Sequence, residues 1–126
     1  MQIPEKLLYS EDHEWICQIE DNLRVGITEY AQGELGDIIF MELPTIGSKI
    51  KKGDSIGTIE AVKTVADVYA PVSGEIVEVN LKLEDNPELI NGDPYDNGWI
   101  VIIKPDTAID LSDHLDASGY EKFIGK

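Results

Sequence analysis

A single cysteine, Cys17, leaves this chain without an internal disulfide. A reducing compartment follows, the cytoplasm being the simplest, and a metal site of paired cysteines is excluded. Histidine is nearly as scarce: His13 and His114 are the only two. A zinc site takes three or four ligands, so no metal is expected. A Cys17–His13 nucleophile pair stays open as an enzymatic reading. Its rival is a free cysteine that packs as a small apolar residue, here on one strand face with Trp15 and Ile19. No run of 18 apolar residues exists, so no membrane-spanning helix is expected. Residues Met1–Ser10 lack an apolar signal core and an Arg-rich transit character. The phosphate-binding glycine loop and the Gly-x-Ser-x-Gly elbow are also missing.

Basic residues are few. Ten Lys and Arg stand against 25 Asp and Glu, a formal net charge of −15. Such a surface repels phosphate backbones and anionic lipids, which argues against nucleic acid and membrane partners. It favours solubility, and it steers the chain toward basic patches on partner proteins.

What is present is enough apolar content, 42% hydrophobic residues in 126, for one domain with a core. Turn residues punctuate short β-forming runs. Glu14–Ile19 and Leu23–Ile27 flank Asp21-Asn22 and predict a hairpin. Thr28 can cap a helix over Glu29–Glu34 that ends at Gly36. Asp37–Leu43, Ser55–Val62, Val65–Tyr69, Glu75–Val79 and Trp99–Lys104 read as strands. Asn86-Pro87 opens one helical turn, Pro87–Ile90. Beyond Asp106 the pattern turns helical, over Ala108–Leu115 and again over Ala117–Ile124 behind Asp116. The expected organisation is one domain over 1–126, with a mainly β core over about 8–105 and a helical segment over about 106–126. Trp99, Ile100, Ile102, Ile38, Phe40 and Ile76 are the expected core. The Gly53-Asp54 turn is echoed at Gly92-Asp93, each followed by a second glycine and a β-rich run. Chance and a pseudo-symmetric sandwich both account for that echo.

The informative segment is Ile59-Glu60-Ala61-Val62-Lys63-Thr64-Val65-Ala66-Asp67-Val68-Tyr69, followed by Ala70-Pro71-Val72-Ser73-Gly74. Two strand-like runs meet at Lys63, and a lysine at a tight turn is reachable by another enzyme. From the residues alone, an ordinary solvated lysine and a modified one both fit. Lys49, Lys51 and Lys52 precede the Gly53-Asp54 turn and read as plain surface residues.

This segment resembles the attachment hairpin of the biotinyl/lipoyl carrier fold. Biotin carriers flank their lysine with methionines, whereas Lys63 lies between Val62 and Thr64. The whole chain resembles the glycine cleavage system H protein family. The matching pieces are Tyr9-Ser10, His13-Glu14-Trp15, Gly26 to Gln32, Leu35 to Ile38, Glu42-Leu43-Pro44, Glu60 to Lys63, Tyr69 to Glu75, Glu84 to Asn91 and Gly98-Trp99. They run in colinear order from about Leu8 to Phe123. Ala61 stands where the family commonly has serine, and Gly119 where it has an acidic residue.

The resemblance implies a flattened lipoyl-type β-sandwich, a barrel-sandwich hybrid with short helices and C-terminal helices. It implies a non-catalytic carrier, with lipoate attached covalently at Lys63 and with Glu14 and Asp67 lining a cleft for the arm. The implied partners are glycine decarboxylase, which loads a methylamine group, an aminomethyltransferase, which removes it, and dihydrolipoyl dehydrogenase, which reoxidises the dithiol. A lipoate ligase or octanoyltransferase would modify Lys63. A monomer is expected. Lipoyl relay to other enzymes, or a role in sulfur metabolism, is the alternative carrier function.

Overall fold

A computed structural model describes residues 2–107, 111–112 and 114–125. Among the described residues, nine strands and four short helices follow in chain order. They are β1 (Leu8–Tyr9), β2 (Glu14–Ile19), β3 (Asn22–Ile27), α1 (Glu29–Leu35), β4 (Ile38–Glu42), β5 (Lys49–Ile50), β6 (Ser55–Ala61), β7 (Val65–Tyr69), β8 (Gly74–Val79), α2 (Lys82–Asp85), α3 (Leu89–Gly92), β9 (Val101–Pro105) and α4 (Ala117–Phe123). They form a six-stranded sheet, β1-β2-β3-β9-β8-β5, and a three-stranded sheet, β4-β6-β7. Every pairing is antiparallel. Side chains of both sheets meet in one aliphatic cluster, including Val25, Ile38, Ile59, Ile76 and Ile103. The result is a β-sandwich of two antiparallel sheets.

Most of the expected strands are present, and the differences have physical reasons. The β2–β3 turn falls on Glu20-Asp21, because Ile19 pairs with Asn22. That register buries Leu23 and Val25. The last strand starts at Val101, leaving Trp99 half-buried against a second, aromatic cluster. Ile38, Ile76, Ile100 and Ile102 are buried, but Phe40 is 47% exposed and is no part of the core. A register shift in the β4–β6 ladder between Ile38 and Phe40 breaks the alternation, so Ile39 and Phe40 both face solvent. Of the helix expected over Ala108–Leu115, residues 108–110 and 113 lie outside the described residues. Leu111, Ser112 and His114 lie in no helix, and Leu115 bridges to Tyr9. Tyr9 and Leu115 exchange both backbone hydrogen bonds, which holds this segment in extended form beside β1. The helix behind Asp116 is present as α4, its cap accepting from the Gly119 N–H. The two echoed glycine turns lead toward β6 and β9, one in each sheet.

The second cluster packs Tyr9, Trp15, Ala117 and Tyr120 beside the sandwich. Cys17 is half-buried against it, on the Trp15 side of β2. Gly26 pairs with Trp15, and a β-carbon there would come within 2.6 Å of the indole nitrogen. Position 26 therefore has to be glycine for the indole to lie flat on β3.

Candidate functional site: a hairpin lysine beside an acidic cleft

Lys63 sits at the tip of the β6–β7 hairpin. Val62 and Lys63 make the turn, closed by the Ala61 N–H donating to the Thr64 carbonyl at 2.8 Å. Lys63 and its neighbours Val62 and Thr64 are all exposed. The hairpin is tied to the body, because Val62 N–H donates to the Asp37 carbonyl at 3.0 Å. Asp37 follows Gly36, the residue that ends α1 with φ of +79°. Asn91 of α3 pins that junction. Its side-chain nitrogen donates to the Gly36 carbonyl at 2.8 Å and to Gln32 Oε1 at 2.9 Å, while its oxygen accepts from Ile38 N–H at 2.9 Å. The Lys63 side chain lies over Gly36, where an added β-carbon would approach Cε to 3.1 Å. A side chain at position 36 would thus crowd the lysine stem as well as strain the backbone.

A cleft of about 290 Å³ opens between α1 and the edge strand β7. Ile27, Ile59, Ala66 and Val68 form its apolar floor, and Tyr30, Ala31, Glu34 and Leu35 of α1 form one wall. His13, Glu14, Asp12 and Asp67 complete it. Lys63 is four residues before Asp67, so about 13 Å of extended strand separates them.

Glu14 is 1% exposed. One carboxyl oxygen accepts from Ser10 Oγ at 2.8 Å and the other from the Tyr69 N–H at 3.0 Å, on the open edge of β7. Burial raises its pKa to about 7, against the lowering effect of the Tyr69 and Ser10 hydrogen bonds. Asp67 is exposed at the rim, and its carboxylate accepts from Thr58 Oγ1 at 3.0 Å. His13 takes a left-handed backbone, φ 67°, that turns it into the cleft. Its Nδ1 meets Tyr120 Oη at 2.9 Å, and Tyr30, Tyr120 and Phe123 surround the ring. Burial lowers its pKa, which favours the neutral imidazole.

Glu14 and Asp67 line this cleft, whereas Lys63 does not line it and stands at the hairpin tip beyond it. Cys17 does not line it, and no cluster of three metal-ligating side chains exists among the described residues. The α1 wall, the His13–Tyr120 contact and the Asn91 clamp were not readable as site residues. The available signal for Asn91 was the Asn-Gly pair after an apolar turn, which reads equally as a helix stop.

A sandwich of two antiparallel sheets that presents a lysine on a tight hairpin beside an apolar, acid-tipped cleft defines a carrier domain of the lipoyl type. The chain belongs to the glycine cleavage H-protein family: residues 7–126 match the family described as Glycine cleavage H-protein. It is 51% identical over 124 residues to a glycine cleavage system H protein of Oceanobacillus iheyensis, covering 98% of each chain. It is 50% identical to one from Thermus thermophilus over 98% of this chain and 97% of that one. A crystal structure of a glycine cleavage system H protein from Mycobacterium marinum matches with a TM-score of 0.88 at 40% identity, over 98% of this chain and 99% of that chain. The chain is a carrier subunit of glycine cleavage.

Proposed function

We propose that this protein carries lipoate in amide linkage on Lys63 Nζ and passes a methylamine cargo among the enzymes of glycine cleavage. Those enzymes are a glycine decarboxylase, an aminomethyltransferase and a dihydrolipoyl dehydrogenase. A lipoate ligase or octanoyltransferase would attach the arm, and the cytoplasm is the fitting location. The observation that carries the reading is the exposed Lys63 on a braced two-residue turn, its stem lying over Gly36 at the end of the α1 wall. Bound there, lipoate would supply a disulfide able to take up and release a one-carbon amine. The residues present fit such a group. An arm on the order of 10–15 Å, from bond lengths, matches the run of about 13 Å from the hairpin to Asp67.

The body contributes position and environment. Asn91, Gly36 and Asp37 hold the hairpin base, so the arm pivots from a fixed point. Ile59, Ala66 and Val68 give the cleft an apolar floor on which an arm could lie. Glu14 and Asp67 supply the anionic end that a cationic amine needs on leaving bulk water. Burial raises the Glu14 pKa to about 7, so a cation brought beside it would favour its ionised form.

Intact-mass measurement tests the reading. Unmodified protein given lipoate, ATP and a lipoate–protein ligase should gain one lipoyl mass, and Lys63→Arg should gain none while melting at an unchanged temperature. An adduct on the Lys63→Arg protein would overturn the assignment.

A further inference from the structure

The outer face of the three-stranded sheet is apolar where the hairpin begins. Phe40 pairs with Glu60 and Glu60 with Val65, so the three stand in one cross-strand row. Ile39, Phe40, Val62 and Val65 are 54%, 47%, 72% and 60% exposed. Ile39 and Phe40 face outward together only because the β4–β6 register slips between Ile38 and Phe40. A bulge that turns two large apolar side chains into water, next to two exposed valines, marks a contact surface. Exposed carboxylates of Asp37, Glu42, Glu60 and Asp67 surround or interleave the patch.

We infer that this patch is the docking surface for the enzyme that acylates Lys63, and that the partner's face has an apolar centre with a rim of lysine and arginine. The inference rests on Lys63 being the modified lysine. Acylation must bring Nζ itself into the partner's active site, and a lysine side chain reaches only about 6 Å from its backbone. The carrier surface around the hairpin is therefore covered in that encounter. Enzymes acting later meet a longer arm and can dock elsewhere. Val62 adjoins Lys63, and the Phe40–Val65 row spans two strand spacings, about 10 Å. The charge selects the occupant. A second copy on this face would set Asp37, Glu42, Glu60 and Asp67 against their own equivalents, whereas a basic rim pairs with them.

The test measures acylation of unmodified protein by a purified lipoate–protein ligase with lipoate and ATP. Phe40→Ser and Val65→Thr should each raise KM for the carrier at least about fivefold, with kcat within about twofold and circular dichroism unchanged. Ile46→Ser is the control, in the turn after β4 that bonds to β8. It is 58% exposed and should leave KM unchanged. The wild-type KM should rise as salt increases from about 50 to 500 mM. Unchanged KM in both patch variants, an equal rise in Ile46→Ser, or a dimer abolished by Phe40→Ser would overturn the docking surface. Failure of the Lys63 reading is distinct: the wild type takes no adduct, or Lys63→Arg takes one.

Discussion

The two buried clusters of this molecule are built from different chemistry. The cluster between the sheets is aliphatic, with Val25, Ile27, Ile59, Ile76, Leu83 and Ile103 near full burial and no polar side-chain atom among them. The cluster beside the cleft is aromatic, and each large ring has a polar tip with a partner. Tyr9 Oη donates to the Pro4 carbonyl at 2.6 Å, and Trp15 Nε1 to the Pro94 carbonyl at 2.8 Å. Tyr120 Oη meets Thr28 Oγ1 at 2.7 Å and His13 Nδ1 at 2.9 Å, and its ring stacks on Tyr9. Burial pushes the Tyr120 pKa up to about 12, so its hydroxyl keeps the proton. Dispersion and the hydrophobic effect have no direction, so the aliphatic cluster can hold two sheets together and little else. Directed hydrogen bonds from rigid rings fix the α1 cap, through Thr28, and the His13 wall of the cleft at once.

That contrast can be broken first from the aliphatic side. Ile76→Ala, at the centre of the β8–β9 pairing, should cost about 2–5 kcal/mol in denaturant unfolding. It should lower stability without a selective effect on the cleft.

Glu14 sharpens the comparison through pH. Its carboxyl titrates near 4.5 in the unfolded chain and near 7 in the fold. The folded protein therefore holds a proton that the unfolded chain has lost between those values. The group's stabilising contribution is full below about pH 4.5 and is lost as pH rises to about 7. The loss is on the order of 3 kcal/mol. Stability measured across that window should fall in the wild type and flatten in Glu14→Gln. Equal slopes would show that Glu14 titrates as an ordinary carboxylate.

Tyr120→Phe keeps the ring and removes both hydroxyl contacts. The expected loss is about 1–3 kcal/mol, well below the aliphatic truncation. The cleft wall should loosen more than the core does. Hydrogen exchange should rise at residues 28–32 and at His13, and not along β8 or β9. Uniform exchange would mean that the aromatic cluster is only more core.

The smallest effect is expected at Phe40. Truncating a buried phenylalanine costs about 3–5 kcal/mol, and an interior strand position predicts that value. At 47% exposure, Phe40→Ala should cost about 1 kcal/mol or less in thermal unfolding.

The sequence alone determined the strands and helix caps whose signals are local. Glu14–Ile19 and Val65–Tyr69 alternate or concentrate β-formers between turn residues. Thr28 and Asp116 cap because a side-chain oxygen three residues ahead of an N–H needs no distant partner. The family, with Lys63 between two strand runs, was legible in the order of short motifs. Tertiary structure decided the rest, because those features depend on pairing between distant segments. The outward turn of Phe40 comes from a register slip against β6. The extended path of Leu115 comes from Tyr9, more than a hundred residues earlier. The raised pKa of Glu14 comes from burial against β7. The fixed seat of the Lys63 hairpin comes from Asn91, which reaches across 55 residues to the Gly36 carbonyl. Local propensity fixes which residues start and stop an element. Desolvation and ladder register, which need the folded partner present, fix what those residues can do.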